Sequence, residues 1–409
     1  MREMKDSGVA WIGRIPATWR TLTIGSLFKV RNEKVNDTDY LPLSVTKGGI
    51  VPQMENVAKS DATDNRKKVL SGDFVINSRS DRKQSCGVSL IDGSVSLINT
   101  VLYPAKGAPI IQTYLNYLLK NYGFAEEFYR WGHGIVADLW TTRWQEMKSI
   151  LIPVPPMDEQ RKILNAASAQ IDSLIEIIQT QIERLNDYRT SVISSHTSDT
   201  SFRHLKLKRV VNNVEQGWSP SPTERKDGGD WQVLTLAAVK FGRFNAENTK
   251  PFEGNIERCK SLSISAGDFL LTRSNTKELV GQVCIVDRPM QNTIFSDLIY
   301  RLDLDTRYVY PKFMLYYFQS TQMRQQIQRD AHGSSSTMVK ITHKDIDNWE
   351  IDLPDMDKQI GVAEQLNDIT RKIDDLISIK QRKIEKLEQY KRSLIYEYVT
   401  GKREVSCDE

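Results

Sequence analysis

The sequence predicts an α+β protein: two globular α/β domains separated by a long antiparallel two-helix coiled coil, related by an internal pseudo-two-fold duplication. Three observations carry this reading. Met157-Asp158-Glu159-Gln160 and Met356-Asp357-Lys358-Gln359 each follow a proline segment and each open a long helical stretch. Within both stretches the apolar residues recur at threes and fours, the 3.5-residue repeat of a left-handed coiled-coil seam. The segments before them consist of short β-rich runs broken by Gly, Asp, Asn and Ser, the pattern of strands joined by turns. A period of about 200 residues is too long for a solenoid and implies two copies of a whole domain-plus-helix unit.

The copies can be followed block by block. The offset is 183 at Trp19/Phe202, 194 at Gly48/Gly242 and Arg79/Arg273, 199 at His133/His332 and Pro155/Pro354, and 202 at Tyr188/Tyr390. It grows in steps, so the second copy gains residues between blocks while each block keeps its length. Duplication followed by divergence of the loops explains this.

Taken in order, residues 1–152 form the first globule, 153–200 a central helix, 201–352 the second globule and 353–409 a C-terminal helix. Gly72-Asp73-Phe74-Val75-Ile76 and Gly267-Asp268-Phe269-Leu270-Leu271 read as turn-then-strand, and Tyr114–Arg130 and Phe313–Arg329 as helical stretches. The first seam is Leu164, Ala167, Ile171, Leu174, Ile178, Ile182, Leu185, Tyr188 and Val192. The second is Leu366, Ile369, Ile373, Leu376, Lys380, Ile384, Leu387, Tyr390 and Leu394. Each helix is expected to run roughly 30 residues, or about 45 Å. Prolines 153, 155, 156 and 354 precede the helices, where proline is tolerated, and Gly401 reads as a C-terminal cap. Lys380, opposite Ile178 in the repeat, reads either as a lysine snorkelling from the seam edge or as a polar residue fixing register.

Composition narrows the class. Hydrophobic content of 39% and charged content of 26% are ordinary for a globular protein, and the net charge is only +4. No apolar run approaches the roughly 18 residues of a membrane span, and the first residues lead into no apolar signal core. Cys86, Cys259, Cys284 and Cys407 lie far apart without a Cys-x-x-Cys, which fits a reducing cytoplasm and argues against a disulfide framework or zinc ribbon.

The sequence offers no catalytic constellation. Glycine-rich nucleotide loops are missing, and Pro155-Pro156 lies between Val154 and Met157, without the Asp/Asn-Pro-Pro-aromatic pattern of adenine methyltransferases. Pro354-Asp355-Met356-Asp357-Lys358 superficially looks like a nuclease centre, but its acids would need to come from separate strands. The five histidines show no metal-ligand spacing. What stands out is polar and basic loop material at matching places. Arg79, Arg82, Lys83 and Gln84 in the first copy answer Arg273, Asn275 and Lys277 in the second. A later pair of loops carries His133 and Arg143 in one copy, and His332, Ser334, Ser335 and Lys340 in the other. Such side chains grip phosphates or read base edges, although any one of them taken alone would be an ordinary solvated residue. Met157, Gln160, Met356 and Gln359, in the repeated motif, read as partner-docking or structural residues.

Together these blocks resemble the specificity subunit of type I restriction–modification systems over essentially the whole chain. The most specific pieces are Asp6-Ser7-Gly8-Val9-Ala10-Trp11-Ile12-Gly13-Arg14-Ile15-Pro16, Ile152-Pro153-Val154-Pro155-Pro156-Met157-Asp158-Glu159-Gln160 and Leu394-Ile395-Tyr396-Glu397-Tyr398-Val399-Thr400-Gly401-Lys402. The resemblance implies that each globule is a target-recognition domain reading one half of a bipartite site in double-stranded DNA. The helices would then set the spacing and dock two modification subunits. It further implies that S-adenosylmethionine belongs to those partners, that restriction subunits add chemistry driven by ATP with Mg2+, and that this chain has no cofactor or active site of its own. The second copy departs from the pattern where Asp355 replaces Pro156 and Lys358 replaces Glu159, so the two partner contacts need not be identical. The competing readings are a coiled-coil protein-interaction scaffold without DNA specificity, and a self-contained DNA enzyme, which the missing motifs disfavour.

Overall fold

In the computed structural model the described residues are 2–53, 65–79, 82–134, 140–166, 169–221, 230–253, 256–333 and 338–405. The chain forms two compact units, Met1–Ile178 with Arg382–Glu409 and Gln179–Gln381. The first unit contains strands β1 (Arg20–Thr23), β2 (Phe28–Val30), β3 (Phe74–Asn77), β4 (Cys86–Val88), β5 (Asn99–Pro104) and β6 (Leu151–Val154). Its helices are α1 (Tyr122–Arg130), α2 (Met157–Ala166) and the start of α3 (Ala169–Thr197). In the second unit the matching elements are β7 (Arg203–Lys206), β8 (Val211–Gln216), β9 (Phe269–Thr272), β10 (Val283–Ile285), β11 (Ile299–Leu304), β12 (Glu350–Leu353), α4 (Thr321–Asp330) and the first part of α5 (Met356–Val399).

Each unit is built on an antiparallel four-stranded sheet with the same strand order, β4-β3-β5-β2 in one and β10-β9-β11-β8 in the other. Strands β3 and β9 read as near-continuous apolar runs because both of their faces are covered. Alternate side chains of a strand point to opposite faces. Accordingly Phe74 and Ile76 of β3 enter one core while Val75 enters a second with Val69, Val95 and Val101. In β9, Phe269 and Leu271 go to one core and Leu270 to another with Phe252, Cys284 and Ile294. A three-stranded sheet backs the second core in each unit, and in the second unit it includes a parallel pair, Val233 opposite Ile294.

The entry and exit of each globule are stitched together. β1 pairs antiparallel with β6, placing Leu22 opposite Ile152, and β7 pairs the same way with β12, placing Leu205 opposite Ile351. The helical stretches expected over 114–130 and 313–329 are each broken into two short helices. The break falls at matched caps: the Asn121 side-chain Oδ1 accepts from Phe124 N (2.9 Å) and the Ser320 hydroxyl from Met323 N (3.3 Å). Asn and Ser satisfy the exposed N–H groups of a new helix start, which ends the preceding one.

The second long helix is longer than expected. α5 has 44 residues, about 66 Å at 1.5 Å per residue. It ends as the sequence reads: Gly401 has φ +72° and its N–H donates to Tyr398 O at 3.1 Å. A Cβ there would lie 2.3 Å from Pro16, so only glycine fits.

The seam itself needs correction at two positions in each helix. Leu174, Tyr188, Leu376 and Tyr390 are about half exposed or more, at 49%, 57%, 47% and 51%. The better-covered neighbours are Ile175, Arg189, Ile377 and Lys391, and Ala167 lies outside the described residues. At Tyr188 and Tyr390 the cause is ion pairing between the helices. Lys391 Nζ meets Asp172 Oδ1 at 2.5 Å in the first unit, and Arg189 pairs with Asp374 in the second. A charged side chain whose partner sits across the seam takes the inward place from an adjacent aromatic. Asp172/Asp374 and Arg189/Lys391 are both related by the offset of 202. Lys380 is half-buried and donates to Gln181 Oε1 at 2.6 Å, so it too is held across the helix pair. Together with Arg189–Asp374, this contact shows the two helices of the second unit running antiparallel.

Candidate nucleic-acid interface

The loops singled out in each globule are brought together by the same backbone pairing. In the first unit β3 leads into Ser78 and Arg79. The Ser78 carbonyl accepts from Thr142 N at 2.9 Å, and Arg79 forms a bridge with Thr141. Thr141 also pairs with His133 in both directions, at 3.0 and 3.1 Å. In the second unit β9 leads into Arg273, whose carbonyl accepts from Ile341 N at 2.9 Å. Ser274 pairs with Lys340, and His332 exchanges two backbone bonds with Lys340 at 2.9 and 2.7 Å. Loops some 60 residues apart in sequence thus share one surface in each globule.

Within that surface the side chains differ in freedom. Lys83 sits 4.4 Å from the Tyr129 ring centre and 2.8 Å from Glu126. Gln84 holds a positive φ of 63° and donates to the Lys120 carbonyl at 3.1 Å. Arg143 is exposed at the start of a short helix, its N–H donating to Glu146 Oε2. Arg82, His133, Lys277 and Lys340 are also exposed. Arg273 is restrained: Nε donates to the Tyr300 hydroxyl at 2.9 Å and Nη1 to the Asp297 carbonyl at 3.4 Å. Asn275 accepts from Thr276 N, and His332 contacts Asp345 at 3.3 Å. Ser334 and Ser335 lie outside the described residues.

Sequence reasoning missed part of this surface. Thr141 and Arg143 line a cleft of about 280 Å3 together with Asn32, Lys67, Ser78, Thr100 and Gln145. Burial holds the Lys67 ammonium below the usual lysine pKa, and it donates to the Asn99 carbonyl at 2.7 Å. Donors and hydroxyls around a narrow opening suit hydrogen bonding to polar edges. No local signal marks Lys67, because it sits in Arg66-Lys67-Lys68, which reads as an ordinary solvated strand.

The repeated motif makes contacts of a different kind. Gln160 and Gln359 are fully buried. Gln160 accepts from Ile111 N (2.8 Å) and donates to Pro109 O (2.8 Å) and Pro155 O (2.9 Å). Gln359 accepts from Tyr310 N (2.8 Å) and donates to Tyr308 O and Pro354 O, both at 2.9 Å. These are the same three bonds, and they tie globule to helix. Met157 and Met356 are half-buried as the first residues of α2 and α5. The departure at Lys358 is matched by a second substitution. In the first unit Trp19 Nε1 donates to Glu159 Oε2 at 2.6 Å. In the second, Phe202 has no N–H to give, and Lys358 instead lies 4.6 Å over its ring.

Among the described residues no group of His, Cys, Asp and Glu could hold a metal, and no helix is long and apolar enough to cross a membrane. The family model described as a type I restriction modification DNA specificity domain matches residues 205–389. A putative type I restriction enzyme MjaX specificity subunit of Methanocaldococcus jannaschii is 22% identical over 96% of this chain and 95% of its own length. The MjaVIII specificity subunit of the same organism is 25% identical, and the match spans 62% of each chain. A chain solved in a study of assembly and conformational transition of the type I R-M system shares the fold, with a TM-score of 0.61 and 14% identity, over 95% of this chain and 99% of that one. Two globules with matched loop surfaces and this domain define a DNA-specificity protein. The second globule thus carries the domain of this family, and nearly the whole chain is similar to specificity subunits of type I restriction–modification systems.

Proposed function

We propose that this chain is the non-catalytic recognition component of its system, each globule reading one half of a bipartite site in double-stranded DNA. The observation that supports this most is the convergence of both predicted loop pairs, in both globules, through the same backbone pairing. Arg82, Lys83, Gln84, His133 and Arg143 would face DNA in one half, and Lys277, His332, Ser334, Ser335 and Lys340 in the other. Arg79, Arg273 and Asn275 complete the proposed DNA-binding set. In this reading the domains follow the boundaries 1–152, 153–200, 201–352 and 353–409. The two long helices act as an antiparallel coiled coil that sets the spacing of the half-sites.

The same helices offer a docking stripe. Leu174, Ile177 and Tyr188 are exposed, and so are Leu376, Ile379 and Tyr390, each pair offset by 202. Exposed apolar residues repeated in both copies suit two equivalent protein partners, which we take to be two modification subunits. S-adenosylmethionine, and ATP with Mg2+, belong on the partner subunits in this reading. Co-expression with the modification subunit, followed by mapping of methylated adenines on genomic DNA, should return one asymmetric two-part motif with a fixed gap. Methylation without a motif would overturn the reading.

A further inference from the structure

The duplicated architecture places a cleft between globule and helix in each unit, and the two clefts have opposite character. In the second unit the cleft, about 360 Å3, is lined by Phe241, Gly242, Arg243, Tyr316, Asp374 and Asp375, among others. Here cations and carboxylates are mixed, and Arg243 and Arg189 both pair with Asp374. A cleft of the first unit shares its globule side but not its helix wall; it is larger, about 670 Å3, and takes Lys47 next to Gly48, Tyr117 where the other has Tyr316, and Lys120 where the other has Gln319, with Gln84 also in its lining and Arg392, Ile395 and Tyr396 as its helix wall. Among the described residues no carboxylate lines it. Three cations surround it, Lys47 and Lys120 from the globule and Arg392 from α5. Its floor is apolar: Tyr117, Ile395 and Tyr396, with Tyr122 71% exposed at the edge. One wall is fixed, because a Cβ on Gly123 would meet the Tyr396 ring at 3.0 Å and Trp11 at 3.1 Å.

We propose that this cleft, and not its counterpart, receives an acidic segment of a protein partner that presents apolar side chains to the tyrosines and carboxylates to Lys47, Lys120 and Arg392. A phosphate backbone would suit the cations but leave the aromatic floor unused, whereas a peptide with both kinds of side chain uses both. The occupant is thus a protein segment, and the two halves of the molecule dock their partners unequally. The proposal rests on reading the chain as a subunit of a larger complex.

The test uses the full chain assembled with its modification subunit. A photo-crosslinking benzoylphenylalanine in place of Tyr122 should capture a partner peptide rich in Asp or Glu beside Leu or Phe. The double variant Lys120→Glu with Arg392→Glu should weaken assembly about tenfold, equivalent to about 1.4 kcal/mol, with its melting temperature unchanged. Tyr122→Ser, which alters only an exposed side chain, should weaken it in the same direction. Capture of DNA, of a basic segment or of nothing would overturn the proposal. So would a double variant that assembles normally but loses affinity for duplex DNA, a result that leaves the recognition function standing. Failure of the unaltered chain to join any modification subunit would remove the functional reading as well.

Discussion

Gln160 and Gln359 show what the repeated motif is for. Each buried amide satisfies one N–H and two carbonyls of the main chain. Gln359→Ala would strand one buried and two partly buried main-chain groups, and the chain should lose about 1–3 kcal/mol, read as a lower urea midpoint. The motif was visible in the sequence as a repeat, but its role was not, because the partners are backbone atoms some 50 residues away. The Trp19–Glu159 and Phe202–Lys358 pairs predict a coupling. Lys358→Glu should destabilise alone, and Phe202→Trp should restore about 1 kcal/mol of the loss in a double-mutant cycle. A third residue gives a pH signature. His204 Nδ1 lies 2.9 Å from Asp352 and its Nε2 3.5 Å from Glu350. The hydrogen bond with Asp352 raises its pKa above the ordinary histidine value. A raised folded pKa gives stability that is fully present below the unfolded value near 6.5 and lost as pH rises through the folded one. His204→Ala should therefore destabilise at pH 5.5 and much less at pH 9, measured by denaturant unfolding.

At the scale of the element, the long helices were legible from their periodicity, while which residues face inward was not. Leu174 and Ile175 are both apolar, so the pattern alone could not choose between them. Asp374 faces two guanidinium groups, and desolvation followed by the nearby Arg243 charge lowers the Arg189 pKa. Asp374→Asn should leave both arginines uncompensated and cost about 1–3 kcal/mol, given partial solvent screening. Leu174→Ser and Leu376→Ser should behave in the opposite way. Stability should change by less than about 1 kcal/mol, since both residues are already half exposed, while co-purification with the modification subunit should fall. A large loss of stability instead would mean these residues belong to the seam after all. The cores follow the same logic: β3 and β9 were readable as buried strands, but not the division of their alternate residues between two cores.

At the scale of the whole molecule, the duplication predicted both sheets, both loop pairs and both long helices, because a repeated pattern samples each element twice. It could not reveal Lys67 or the cleft around Arg143, since Lys67 sits in a strand, Arg66–Val69, whose charged residues read as solvated. Salt provides the molecular test. A modest net charge of +4 with local basic loops should give DNA binding, in complex with the modification subunit, that falls by about a thousandfold or more between 50 and 200 mM salt. A flat salt response would argue against phosphate contacts by these loops.

The glutamine clasps have a consequence for how such a protein can change its target. Both grip carbonyls and amides, groups that every sequence possesses, and β1–β6 and β7–β12 close each globule through main-chain bonds as well. The frame therefore holds its cargo without inspecting it. A foreign globule spliced between residues 20 and 154 would find its attachment points ready, because Trp19 and Glu159 both lie outside the exchanged segment and stay paired. New specificities can thus arise by exchange of a whole module in a single recombination event.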